Sequence, residues 1–281
     1  MMKEFWNEPR TIYPSIFRIL IGLVLLVDLI FTFSSGKFLF NSELTNYPEA
    51  GNFISFIRTH YVPFFISYGL VLVLFILGIG KNITSFLVFI FHFIMLLISP
   101  YILNWGDTIL KFMLLYFIFS DSFKFYSVQK SKIHKNSIWN YISKLAVWSV
   151  ILHLFLIYLS NGFYKSMDAD WQNGFAPFYS FSQFSGFEDS VFYPIISNGN
   201  FSKIISFLII AQQLTFIPLI IWKKTRYVTI FLGIMVHLIM FYQFGLWKFE
   251  TIIILSYGFL LNDKEWLKII PQKLKKEFVK S

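Results

Sequence analysis

Eight apolar runs, at residues 15–33, 61–79, 84–103, 108–119, 145–159, 204–222, 227–244 and 251–261, constrain this chain more than any other feature. A helix crossing the hydrocarbon of a bilayer takes about 20 mostly apolar residues, because lipid offers no hydrogen-bond partner to an open backbone. Read as spans, the runs predict an all-α fold: a polytopic transmembrane helical bundle of about eight spans, the fourth and eighth being the least secure because their apolar cores are short. Composition agrees. Charged residues make up 14% of the chain and the mean hydropathy is +0.63, whereas soluble domains carry about 25% charged residues. On this reading the transmembrane domain covers 1–262 and a basic, amphipathic cytoplasmic tail covers 263–281.

A net charge of +9 invites a nucleic-acid reading, but the lysines cluster between apolar runs, where they set topology, so no nucleic-acid partner is expected. The bases gather at Lys3 and Arg10, at Lys81, at Lys124, Lys130, Lys132, Lys135 and Lys144, at Lys223, Lys224 and Arg226, and from Lys264 to Lys280. With eight spans all of these fall on one side, which places both termini in the cytoplasm. The tail, WLKIIPQKLKKEFVK, is expected to lie on an anionic inner leaflet. The first run follows acids and aromatics and precedes no small-residue cleavage site, so it is expected to remain as an anchor. There is no cysteine, which removes disulfides, thiolate catalysis and cysteine metal sites.

Connections on the opposite side are poor in lysine, and one of them, 162–203, is far longer than a simple turn. Around its start lies NGFYKSMDADWQNGFAPFYS, residues 161–180, whose charges lipid would not tolerate unpaired. Lys165, Asp168 and Asp170 are the candidate catalytic residues, and Trp171 and Gly174 are candidate binding residues. Two effects compete at Lys165: a neighbouring carboxylate keeps the ammonium charged, whereas desolvation lowers its pKa toward use as a base. Residue types alone leave both open. The plain alternative is a loop anchored by a Lys-to-Asp pair with Trp171 at the interface. Gly162 and Gly174 read as close backbone approach or positive φ.

Asp107, in the turn Asn104-Trp105-Gly106-Asp107, either caps the helix that follows or faces Lys165 across the mouth of the bundle. His92, His153 and His237 lie inside runs without a second ligand at helical spacing, so no metal site is expected. A buried, hydrogen-bonding imidazole is the plain reading of each; a pocket-facing role is the alternative, and His237 is retained as a binding candidate. Glu250, with Lys248, falls near the layer of Lys165 and is a further binding candidate. Arg18, Asp28 and Lys111 sit in or beside apolar runs, where charges face the bundle interior or snorkel. A Walker loop, a Gly-rich dinucleotide turn and a serine nucleophile elbow are all missing from the sequence.

At these residues the sequence resembles the HTTM (horizontally transferred transmembrane domain) family, related to the vitamin K-dependent gamma-carboxylases. The likeness rests on the apolar run ending at Gly162, then Lys165, Asp168-Ala169-Asp170-Trp171 and Gly174. The segment NWGDTILKFMLLYFIFSD, residues 104–121, and the late run with His237 and Gly245 add to it. The resemblance implies a helical bundle whose site opens on the non-cytoplasmic side, and it raises a quinone-type lipid such as vitamin K as cofactor. Those carboxylases carry two adjacent lysines before the DADW string, the second serving as base. Here Lys165 matches the first, Ser166 stands at the second, and Gly106 stands where an assisting histidine falls. In size the chain is closer to the bacterial single-domain members, including the sporulation-delaying protein B type, which are associated with maturation of a secreted toxin peptide.

The expected function is therefore that of a bacterial inner-membrane protein that modifies, or assists maturation of, a secreted peptide or a membrane-borne small molecule. Its partners would be the lipid bilayer, a secreted peptide substrate and a membrane partner protein. A non-catalytic scaffold or export and immunity partner is the alternative, ahead of a carboxylase-like enzyme or a transporter. The transporter reading would want an inverted repeat and a pair of Gly/Pro-broken helices, and the sequence displays neither.

Overall fold

In the computed structural model the described residues are 2–40, 51–102, 104–131, 137–184, 186–272 and 275, and no strand occurs among them. The helices are α1 (Met2–Asn7), α2 (Tyr13–Ser34), α3 (Gly36–Leu39), α4 (Asn52–Thr59), α5 (Tyr61–Leu77), α6 (Lys81–Ile98), α7 (Trp105–Phe117) and α8 (Ile138–Met167). There follow α9 (Ala169–Asn173), α10 (Phe175–Ser182), α11 (Tyr193–Ile196), α12 (Gly199–Ile221), α13 (Lys223–Phe244), α14 (Trp247–Ser256) and α15 (Asp263–Ile269). Five of them, α2, α6, α8, α12 and α13, are long and apolar enough to cross a membrane, and α4 with α5, bent by 87° at His60, makes a sixth if the pair is one span. The outward faces are apolar: Phe31, Leu70, Leu208 and Phe231 are each about 60% exposed. Side chains of that kind need lipid, not water, around them.

The fourth and eighth runs do form helix, as α7 and α14, but of 13 and 10 residues, the latter continued by a 3-10 turn at Tyr257–Leu260. At about 1.5 Å per residue neither helix alone covers a hydrocarbon core of about 30 Å. The fifth run is the opposite case. α8 extends through 30 residues to Met167, so Lys165 lies on its last turn and not in the connection where the apolar run alone would put it. Nothing between Leu159 and Met167 breaks a helix, and the stop comes at Asp168, which turns extended and caps α9.

The chain divides into two compact units, Met1–Asn7 with Ile151–Glu250 and Glu8–Val150 with Thr251–Ser281. Within the second, α2 packs on α5, and Gly22 permits it: a Cβ there would lie 2.6 Å from Ile76. Phe17, Ile21, Leu25, Leu72 and Phe75 are fully buried around that contact, and the Phe17 ring meets those of Phe117 and Phe259 at 5.0 and 4.9 Å. Arg18, 0% exposed, donates to the Tyr126 carbonyl and the Ser127 hydroxyl and lies over the Phe123 ring. Its charge is thus answered inside the unit and does not snorkel. The tail begins as α15, docked through Asp263, which accepts from the Thr11 and Ile12 amides at 2.8 and 3.0 Å. Lys132, Lys135, Lys273, Lys276 and Lys280 lie outside the described residues, as does the rest of the tail beyond Gln272 apart from Lys275.

In the first unit α12 and α13 form an antiparallel pair joined at Trp222. Lys223 and Lys224 of that link are exposed, but Arg226 is buried, with its Nε donating to the Ile220 carbonyl at 2.9 Å and its guanidinium over the Phe5 ring at 4.8 Å. It satisfies a carbonyl left open where α12 ends. The connection read as 162–203 is itself helical in large part, as α9, α10 and α11.

Candidate functional site

Tyr158, Gly162 and Lys165 recur on α8 at intervals of four and three, which brings them to one face of the helix. Opposite them, α12 runs the other way. Phe216 stacks on Tyr158 with ring centroids 3.8 Å apart, and Gln213 and Leu214 crowd Gly162, where a Cβ would come within 2.9 Å of Leu214. Gly162 is therefore the close approach that lets the two helices touch.

At the lower end of this face Tyr158, His237 and Glu250 form a buried chain. The Tyr158 hydroxyl lies 2.8 Å from His237 Nε2, and His237 Nδ1 bonds Glu250 Oε2. Glu250 is 0% exposed. In the tautomer whose Nδ1–H donates to the carboxylate, Nε2 is the acceptor that faces the phenolic hydroxyl. This is the arrangement in which a carboxylate fixes a histidine tautomer and the histidine polarises a hydroxyl. Among the described residues Glu250 Oε1 has no hydrogen-bond partner, and neither does the buried Oε1 of Gln213. The sequence places His237 and Glu250 among the candidates and misses Tyr158, although its spacing of seven from Lys165 was a legible signal of a shared helix face.

About 10 Å further along α8, by helical rise, Lys165 closes the face. Its ammonium sits 4.5 Å from the centroid of Trp171, a cation–π contact, on the last turn of α8 where the helix dipole favours a positive charge. Among the described residues Lys165 makes no ion pair. The Lys-to-Asp pair of the plain sequence reading is thus not formed. Asp168 Oδ1 instead accepts from the Asp170 and Trp171 amides at 3.0 and 3.1 Å, the N-cap of α9. Asp170 is exposed in the first turn of that helix, where an acid also suits the dipole.

Gly174 ends α9 at φ +84, and a Cβ there would stand 2.5 Å from the Lys203 Cα. Both expected reasons for a glycine meet at this residue: the left-handed conformation and the close approach. Ser202 Oγ donates to the Gly174 carbonyl at 2.6 Å and Ser206 Oγ to that of Trp171, so α12 carries the α9 turn on its first two turns. Neither serine was marked by the sequence. Asp107 falls in the second unit, where its Oδ2 accepts from the Asn104 amide at 2.9 Å and completes a capping box at the start of α7.

The vitamin K-type quinone implied by the resemblance requires a strong base at the second lysine position. That position is Ser166, and its hydroxyl donates to the Phe163 carbonyl one turn back at 2.8 Å. The residues present do not fit that use of the group.

Set against protein-family models, curated proteins and solved structures, the chain matches none of them. The geometry of the site stands by itself.

Proposed function

We propose that the chain is an HTTM-type integral membrane protein of the bacterial cytoplasmic membrane, crossing eight times with both termini inside. In this reading α7 and α14 complete the eight crossings by spanning with their flanking turns. Its pocket faces the non-cytoplasmic side around Lys165, Trp171 and the α9 turn, and it modifies, or assists maturation of, a secreted peptide or a membrane-borne small molecule. The observation that carries the reading is Lys165: a half-buried ammonium held on an indole face with no carboxylate partner among the described residues, at the end of a helix face that also holds the Tyr158–His237–Glu250 chain. A cation so placed is available to an incoming anion or carbonyl, and the buried chain supplies a route for a proton.

The test is native mass spectrometry of the detergent-purified protein with extraction of co-purifying lipid and small molecules, comparing wild type with Lys165→Ala and His237→Ala. A defined species retained by wild type and lost from Lys165→Ala supports a ligand site there. A second reading, a non-catalytic scaffold or export partner, is favoured by one observation, that Asp168 is spent on capping α9. It predicts a stoichiometric protein partner and full rescue of a deletion strain by Lys165→Ala at normal expression.

A further inference from the structure

Between α10 and α11 the chain forms a cleft of about 330 Å³ lined by four aromatic rings, Phe178, Phe184, Phe187 and Tyr193, and by Ser182, Gly186 and the two acids Glu188 and Asp189. Phe187 is its floor: 4% exposed, it meets Phe178 edge-on at 5.8 Å and Tyr193 at 5.3 Å. Phe184 is held by a stack on Phe244, at the end of α13, with centroids 4.9 Å apart. The walls are thus fixed by ring packing even though the segment has little regular structure. Glu188 and Asp189 are exposed and, among the described residues, neither has an ion-pair partner. Uncompensated acid is unusual in a chain with 24 basic residues against 15 acidic ones.

Aromatic faces attract a cation through their quadrupole, and carboxylates in the lining add a charge-assisted hydrogen bond to an ammonium or guanidinium. The volume lies at the lower end of ligand cavities, about 300–1,000 Å³, and suits one side chain, not a folded partner. We infer that this cleft binds a lysine or arginine side chain of a peptide substrate and so holds a basic segment on the same unit that carries Lys165. The inference rests on the peptide reading of the proposed function and adds to it the chemical class of the peptide: it carries a basic residue.

The test uses the full-length protein in detergent and a fluorescently labelled ten-residue peptide of alternating lysine and serine, titrated by anisotropy at low and at moderate salt. A peptide with glutamate in place of lysine is the control. The expected result is saturable binding of the lysine peptide that weakens with salt and is absent for the glutamate peptide. The double variant Glu188→Gln/Asp189→Asn loses about three- to tenfold in affinity, the range for two exposed charge contacts. Tyr193→Leu, which keeps both carboxylates, loses about two- to fivefold, the size of an exposed cation–π contact. Equal affinity of wild type and both variants overturns the inference, and so does competition by phosphoethanolamine at the concentration at which the peptide itself binds, which would assign the cleft to a lipid headgroup. Lys165→Ala is carried in parallel. Peptide binding retained by Lys165→Ala but lost in the double variant supports the cleft whatever the role of Lys165. Loss of the co-purifying ligand in Lys165→Ala, with no effect of the cleft variants on the peptide, leaves the proposed function standing and removes this inference.

Discussion

Removing the His237 imidazole should be the most damaging single change in the first unit. The reason is Glu250, which is 0% exposed and whose carboxylate is, among the described residues, hydrogen-bonded by His237 alone. His237→Ala leaves a buried carboxylate with neither charge nor hydrogen-bond compensation and also strips the Tyr158 hydroxyl of its 2.8 Å partner. Breaking one side of a buried pair costs about 3–5 kcal/mol. Glu250→Gln is milder, because the amide oxygen still accepts from Nδ1–H; exchanging a charged for a neutral acceptor costs about 1 kcal/mol. Tyr158→Phe removes the phenolic partner of the buried Nε2, about 1–3 kcal/mol. The ordering His237→Ala, then Tyr158→Phe, then Glu250→Gln is therefore expected in thermal unfolding of the detergent-solubilised protein, followed by loss of monodisperse material on size exclusion. The double variant His237→Ala/Glu250→Ala should be more stable than His237→Ala alone, because the stranded charge is gone. A His237→Ala protein as stable as wild type, or a double variant that is simply the sum of the two single losses, would refute the buried chain.

Gly174→Ala should lower stability by about 2–5 kcal/mol, combining about 1–2 kcal/mol for a left-handed alanine with about 1–3 kcal/mol for displacing the α12 backbone at Lys203, and it should expose the α9 turn to limited proteolysis. Asp168→Ala removes the N-cap of α9 and should cost about 1 kcal/mol, whereas Asp168→Asn, which caps equally well, should be near neutral; an asparagine variant as impaired in ligand retention as alanine would show that the charge itself is used. At Asp263 burial raises the carboxyl pKa above the ordinary aspartate value, against the lowering effect of the Ile12 and Thr11 hydrogen bonds. Its protonated form therefore suits the folded state, and its contribution is fully present below the unfolded pKa of about 3.9 and lost as pH rises through the raised folded pKa. The stability of wild type relative to Asp263→Asn should fall across that window in unfolding midpoints taken from pH 3.5 upward, and a constant or rising difference would contradict the assignment.

The sequence made the apolar helices legible because a spanning helix is written in one dimension: α2, α6, α12 and α13 lie within a few residues of their apolar runs. It was less informative where a helix outlasts its apolar stretch. α8 continues past Leu159 through Asn161, Lys165 and Ser166, residues that no hydropathy argument assigns to a helix, and this moved Lys165 from a connection to a helix terminus. The bend at His60 was partly legible, since Pro63 has no N–H for the Thr59 carbonyl and its ring stops a helix from running straight through that turn. Of the candidate site, Lys165 with Trp171 and His237 with Glu250 are brought together, and Asp107 caps the start of its own helix. The partners supplied by distant segments, Tyr158, Ser202, Ser206 and Phe216, depend on which helices lie side by side, and that information is not local. Conversely, the capping role of Asp168 is entirely local, and its pattern of an aspartate before Ala-Asp-Trp is the ordinary start of a helix.

The length of α8 sets up a gauge. Its 30 residues measure about 45 Å, and a hydrocarbon core is about 30 Å thick. The excess of about 15 Å is taken up by tilt or by projection beyond the lipid, and each further 1.5 Å of bilayer thickness moves the water boundary by one residue along the helix. Lys165 and Tyr158 are seven residues apart on that scale, so a change in membrane thickness decides how many of the groups between them meet water and how many meet oil. Acyl-chain length in reconstituted bilayers thus becomes a physical dial on the polarity of this face, turned without altering a single atom of the protein.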